Sequence, residues 1–359
     1  MADLAYWLGF SLIPGIGPVR VRRLLDYFGD LEAAWTASAS DLMQAGLDAR
    51  AVDALCGRRG RIDLDAERAR LDARGVALIP LDDQAYPERL RQIYGPPILL
   101  YVRGELRPTD DLSIAIVGTR RASPYGRQAA ERVGADLVAG GATVVSGLAR
   151  GIDTCAHRAA LEAGGRTIAV LGCGVDVDYP AENARLAAEI VERGAIVSEY
   201  PLGTPPDAAN FPARNRIVSG MTRGTVVVEA GETSGALITA RFAAEQGRDV
   251  FVVPGSIFSP QSRGTNRLIQ QGARLVSSGR DILEELNLEV VGRQLELRDL
   301  LPADEVERVV LGLLGSEPRH VDDITRACDL SAAQVGATLT MLEIKGLARH
   351  VGGMSYVAG

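Results

Sequence analysis

Lysine is all but missing from this chain of 359 residues: Lys345 stands alone, so nearly all of the 39 basic residues are arginine. Arginine suits phosphate through its rigid fork of donors, but a GC-rich coding bias gives the same composition, and the feature carries little weight. Cysteine and histidine are scarce too. Cys56, Cys155, Cys173 and Cys328 lie far apart with no CxxC pair, which gives no sign of a disulfide framework or a zinc site. His157, His320 and His350 are too scattered for metal ligation, so neither a metal nor a cofactor is expected. No basic residue precedes the short apolar run within residues 1–17, and no run anywhere is long enough to span a bilayer. A soluble, cytoplasmic protein without a membrane partner is expected. The net charge of -7 argues against general coating of nucleic acid through positive charge, so any DNA site must be a local cluster of cations on an acidic body.

With 47% hydrophobic and 24% charged residues, the chain has ordinary globular composition and room for two or three domains. Residues 1–70 read as an N-terminal helical domain. There Leu12-Ile13-Pro14-Gly15-Ile16-Gly17-Pro18 precedes a helix over Val19–Phe28 carrying Arg20, Arg22 and Arg23. This turn resembles a helix-hairpin-helix (SAM-like) element whose glycine amides approach a DNA phosphate; an αα-hairpin that merely needs a tight turn reads equally well. The arginine- and aspartate-rich stretch 58–74 reads as a helix with a solvated charged face. Two short strands, Val76–Pro80 and Ile98–Arg103, open the second domain, residues 71–286.

From Leu112 onward, near-continuous apolar runs alternate with helical segments. Strands are expected over Leu112–Gly118, Thr143–Ala149, Thr167–Gly172, Ala195–Tyr200, Thr225–Ala230 and Asp249–Pro254. Such a pattern means α/β architecture with a parallel sheet covered on both faces. Residues 287–301 read as a linker. Residues 302–359 read as three helices and a β-hairpin broken at Gly352-Gly353, the order of a winged helix.

In an open parallel sheet, ligands bind beyond the carboxyl ends of the strands, near a switch in strand order. Those positions are rich in glycine and small hydroxyl residues here: 118–124, 146–153, 172–176 and 231–235. Their free backbone N–H groups can face anions, and several such turns at one edge make a phosphate-binding rim. No GxGxxG with a later acidic residue and no GxxxxGK[ST] is present, which argues against a dinucleotide site and a nucleotide hydrolase loop. Asp153 reads as a helix cap, and Ser123-Pro124 as a cap followed by proline at the first helical position. Asn210-Phe211-Pro212-Ala213-Arg214-Asn215-Arg216 sets an aromatic beside two arginines and two amides. Phe211 either stacks a base or staples the helix entry. No acidic residue stands beside a nucleophile, and no GxSxG elbow occurs, so the edge reads as a binder rather than an enzyme.

Ile116-Val117-Gly118-Thr119-Arg120, Ser146–Asp153, Phe211–Arg216, Val253-Pro254-Gly255-Ser256 and Gly264–Ile269 resemble, in order and spacing, the DprA/Smf family of DNA-processing proteins. The resemblance implies an extended Rossmann-like core that binds single-stranded DNA without sequence preference and protects it. It also implies loading of the RecA recombinase, displacement of single-strand-binding protein, a homodimer, and no catalysis. By the same resemblance, Arg120 contacts phosphate beside Gly118 and Thr119. Ser146, Gly147 and Gly151 form a second anion-binding turn, Phe211 meets a base, and Arg214, Asn215 and Arg216 shape the pocket. Arg121, Arg150, Asn210, Ser234 and Gly235 complete the candidate DNA-binding set.

The chain departs from the family at Ala181 and Ala208, where many members carry lysine; Arg263 and Arg267 are candidates to compensate. The third tail helix, Ser331–Lys345, is poor in cations, so the winged helix is expected to contact protein or to do little with DNA. The rival reading is a nucleotide phosphoribohydrolase of the lysine-decarboxylase-like type. Its PGGxGTxxE motif loses the proline and the following glutamate in residues 229–237 here. An adaptor built on the winged helix alone leaves the glycine-rich turns unexplained.

Overall fold

The computed structural model of the chain describes residues 4–287, 305–315, 318–328, 330–344 and 347–358. The expected linker falls outside the described residues apart from Asn287, and so does Lys345. Residues 1–286 form one compact unit and 287–359 a second.

The first unit is built on a nine-stranded sheet. Its strands are β1 (Val76–Pro80), β2 (Leu99–Gly104), β3 (Ser113–Val117), β4 (Thr143–Ser146), β5 (Thr167–Val170), β6 (Ala195–Ser198), β7 (Gly224–Val227), β8 (Asp249–Val252) and β9 (Arg274–Leu275). They lie in the order β1-β2-β6-β5-β4-β3-β7-β8-β9. From β6 to β9 all pairs are parallel, as the alternation of apolar runs and helices predicts; β1 and β2 extend the sheet as antiparallel strands. Strands β3 to β7 are buried along their whole length, because helices cover both faces. The chain winds from β3 outward to β6 and then returns to place β7 on the other side of β3. That reversal is the switch point at which a crevice opens.

Helices α1 (Leu4–Ser11), α2 (Pro18–Phe28), α3 (Leu31–Thr36), α4 (Ala39–Gln44), α5 (Ala49–Arg59) and α6 (Leu64–Asp72) precede the sheet. The stretch 58–74, read as one helix, is two. Helix α5 ends at Gly60, and α6 starts afresh where the Asp63 carboxylate accepts the Ala66 N–H. Packing is continuous across residues 70 and 71. Trp7, Phe10 and Leu24 belong to the same apolar cluster as Tyr101, Leu186, Ile190 and Ile196. Arg20, in the first turn of α2, is bound to the carbonyl of Gly15 in the preceding turn and to the Asp48 carboxylate, which favours the plain αα-hairpin.

Helices α7 (Glu88–Arg91), α8 (Pro124–Ala139), α9 (Ile152–Glu162), α10 (Ala184–Arg193), α11 (Asn210–Gly220), α12 (Ala236–Glu245), α13 (Arg263–Gln270) and α14 (Gly279–Glu285) complete the unit. One face carries Leu90, Ile217, Val218 and Ala240 packed on Val117, Val145, Val170, Val197 and Val227. Ser123 caps α8 by accepting the Gly126 N–H, with Pro124 at the first helical position, so the edge residues before it have a fixed exit direction.

The second unit contains α15 (Glu305–Gly312), α16 (Val321–Ala327), α17 (Ala332–Ile344) and a sheet ordered β10 (Arg319–His320)-β12 (Ser355–Ala358)-β11 (Ala348–Gly352). Its core is Val310, Ile324, Val335, Leu339 and Leu342. The expected helices and hairpin are present, with β10 as an added strand. Among the described residues, no helix is long and apolar enough to cross a membrane.

Candidate nucleic-acid interface

A cavity of about 810 Å³ opens at the switch point. After β3 it is lined by Gly118, Thr119, Arg120 and Arg121, and after β4 by Gly147 and Asp153. Helix α11 adds Phe211, Arg214 and Asn215, and the turn after β7 adds Thr233, Ser234 and Gly235. An adjoining cavity of about 120 Å³ shares Arg120, Gly147, Phe211 and Arg214 and adds Arg150. Four segments distant in sequence meet there because each follows a strand of one parallel sheet.

The centre is aromatic and cationic. The Arg120 guanidinium lies 5.4 Å from the Phe211 ring centre, and the Tyr179 ring centre lies 5.4 Å from that of Phe211, tilted by 31°. Phe211 is thus part of the cavity wall, not a staple at the helix entry. Among the described residues, neither Arg120 nor Arg121 has a carboxylate within ion-pair distance, whereas Arg150 and Arg216 nearby are each paired with a glutamate.

Beneath this surface lies a buried framework. Arg214 is 5% exposed and donates to the carbonyl oxygens of Gly147 (2.8 Å) and Val170. Asp153 accepts from the backbone N–H groups of Gly147 (3.2 Å) and Ala149 (3.3 Å), holding the second turn from the other side. Asp153 is not the helix cap that its position suggests; Gly151 occupies that place. Burial raises the proton affinity of the Asp153 carboxyl while the Arg214 cation opposes it; burial likewise weakens the proton hold of Arg214. A Cβ on Gly147 would collide with the Arg214 guanidinium. One on Gly151, whose φ is +77°, would collide with Thr119 and Arg120. Gly151 thus allows the first and second turns to touch, and Gly147 makes room for Arg214 beneath the second.

The remaining expected residues are engaged in contacts of their own, some of them in the cavity wall. Ser146 is fully buried and donates to Ile116 O at 2.6 Å, tying β4 to β3. Gly151 supports the rim from behind. Asn210 starts α11 outside the cavity lining. Arg216 is bound bidentately by Glu199 (2.6 and 3.0 Å), and Arg150 is held by Glu182 (2.6 Å), so their charges are already met. Asn215 donates to Gly235 O at 3.3 Å, linking α11 to the fourth turn. Of the departures, Ala208 lines the large cavity and Ala181 does not. Of the arginines suggested to compensate, neither Arg263 nor Arg267 lines this cavity, and Arg267 borders a separate one with Arg241, Arg248 and Arg274. Tyr179 is not among the expected site residues, because an aromatic before a proline gives no hint of its ring partner 32 residues on.

With this geometry established, comparison with known proteins is decisive. Residues 77–287 match the family model of DNA recombination-mediator protein A, and 296–354 match the DprA winged helix domain. Protein Smf of Synechocystis is 34% identical over 99% of this chain and 98% of its own length. The solved structure of DNA processing protein A from Streptococcus pneumoniae superposes with a TM-score of 0.69 at 38% identity, over 79% of this chain and 99% of that one. That of Helicobacter pylori DNA processing protein A, described for its single-stranded DNA binding mode, gives 0.54 at 31% identity over 59% and 95%. The chain belongs to the DprA/Smf family of DNA-processing proteins.

Proposed function

We propose that the chain binds single-stranded DNA without sequence preference in the switch-point cavity, with no catalytic step. The carrying observation is the cluster of Phe211, Arg120 and the tilted Tyr179 ring beside a second arginine, Arg121, that has no carboxylate partner among the described residues. A base inserted at Phe211 gains stacking, and phosphates meet Arg120, Arg121 and the backbone N–H groups of the turns. The titratable groups of the framework support binding rather than turnover: Asp153 is spent on two backbone amides, and Arg214 on two carbonyls. The relative whose structure is described for single-strand binding supports the ligand, and the recombination-mediator family supports the role.

In that role the protein acts in the cytoplasm as a homodimer. It protects single strands, displaces single-strand-binding protein and loads RecA in transformation or recombination. Anisotropy of a labelled oligothymidine tests the binding. Salt-sensitive association favouring the single strand over a duplex is expected, and equal weak binding to both contradicts it. Stimulation of RecA ATP hydrolysis on strands precoated with single-strand-binding protein tests the loading. No stimulation by a protein that binds the strand contradicts that part alone.

A further inference from the structure

Residues 254–262 leave β8 on the same edge of the sheet as the rim turns. Pro260 and Gln261 line the 810 Å³ cavity, while Pro254, Gly255, Ser256, Ser259 and Ser262 line a neighbouring cavity of about 440 Å³ together with Ser123, Tyr125 and Glu229. The loop is therefore shared by both. At its tip stand Ile257, 79% exposed, and Phe258, 89% exposed, the least covered large apolar side chains in this part of the molecule.

The tip is not loose chain. Asn266 brackets Gly255, accepting its N–H at 3.2 Å and donating to its carbonyl at 3.0 Å. The Tyr125 hydroxyl donates to Pro254 O at 2.6 Å. The Ser256 hydroxyl accepts the Phe258 N–H at 3.3 Å, and the Ser256 carbonyl accepts the Ser259 N–H at 3.0 Å. Prolines at 254 and 260 fix φ at both ends. A loop whose backbone is satisfied inward presents its side chains outward at little further entropic cost, which is what a preformed stacking platform needs.

The charge pattern selects the part of the ligand that fits. No residue from 254 to 262 is charged. The smaller cavity contains the Glu229 carboxylate, which accepts from Ser123 N (2.9 Å) and Ser123 Oγ (2.7 Å). Phosphate is repelled there, whereas an uncharged nucleobase finds serine hydroxyls and the Tyr125 ring in the cavity and the exposed Phe258 ring on the same loop.

We propose that loop 254–262 is a second base platform, on which Phe258 stacks a nucleobase of the same strand that occupies the cavity at Phe211. This rests on the single-strand reading of the rim and extends it into a path across the sheet edge. Because the contact is to a base, it adds affinity without releasing counterions.

Anisotropy with labelled oligothymidines from about 4 to about 16 nucleotides, on the full chain, tests it. Phe258→Ala is expected to leave the shortest oligomers unaffected and to weaken the longer ones by about five- to tenfold at unchanged salt slope. Phe258→Trp is expected to bind like the native protein and to show quenched emission on DNA addition. Wild-type binding with F258A indistinguishable at every length overturns the platform alone. A change of oligomeric state in F258A by light scattering, with strand affinity per protomer unchanged, also overturns it and gives the tip to a second copy of the chain. Failure of the wild-type protein to bind any oligothymidine overturns the rim reading and the platform with it.

Discussion

The sheet edge and the C-terminal winged unit are both architectures that proteins use on nucleic acid, yet they present opposite surfaces. At the edge, Arg120 and Arg121 have no carboxylate partner among the described residues, and Arg120 lies over an aromatic ring. In the winged unit, α17 carries Glu343 and no cation, and Gln334, Ala337, Thr340 and Met341 are among its exposed positions. Arg319 is engaged by Leu313 O and Arg326 by Asp323, and the exposed Arg349 stands on β11 rather than on α17. A fold supplies a place for a ligand, and the unpaired charges and ring faces put there decide whether it is used. On an acidic chain the distinction is sharper, since background attraction to phosphate is weak.

Removing the free cation should break the comparison most. Arg120→Ala is expected to cost about 1.5–3 kcal/mol in single-strand affinity, roughly ten- to a hundredfold, and to reduce the salt slope by about 0.7. An anisotropy salt titration reads both, and an unchanged slope would mean that Arg120 meets no phosphate. Phe211→Ala should follow, costing about 1–3 kcal/mol with the slope unaltered; equal loss of duplex binding in the same assay would count against base stacking.

Charging the other region sharpens the contrast. Gln334→Lys together with Met341→Lys, both at exposed sites of α17, should raise duplex affinity a few-fold and steepen its salt dependence by up to about 0.9 per lysine. No gain would show that the helix does not face DNA even when charged.

The smallest effect concerns the framework. Burial, aided by Arg214, lowers the pKa of His157 from 6.5 to about 3. Its Nδ1 bonds Thr167 Oγ1 at 2.7 Å while Nε2 has no partner among the described residues. A depressed folded pKa gives stability that is complete above pH 6.5 and lost as pH falls toward 3. The melting temperature of the native protein should therefore drop more steeply across that window than that of His157→Gln. Parallel curves would remove His157 as the cause.

Much of this was legible in the sequence where the signal is local. Fully buried strands such as Ile114–Val117 are apolar runs because helices cover both sides, and Ser123-Pro124 announces the start of α8. The glycine turns mark the edge. What depends on distant partners was not legible. Arg216 looks as available as Arg120 until Glu199 is seen bound to it, and Arg214 looks exposed until Gly147 and Val170 are seen above it. Strand β9 is two residues long and leaves no periodic trace. The sharing of a core between Trp7 and Ile196 joins positions that no window of sequence spans.

The central claim is that the strand lies on the sheet edge and not on the winged unit. Photocrosslinking of an oligothymidine to the full chain, followed by peptide mass mapping, tests it directly. Crosslinks at Tyr179 and Phe211, lost when Arg120 is replaced by alanine, are the result expected; crosslinks concentrated in residues 305–358 would contradict it.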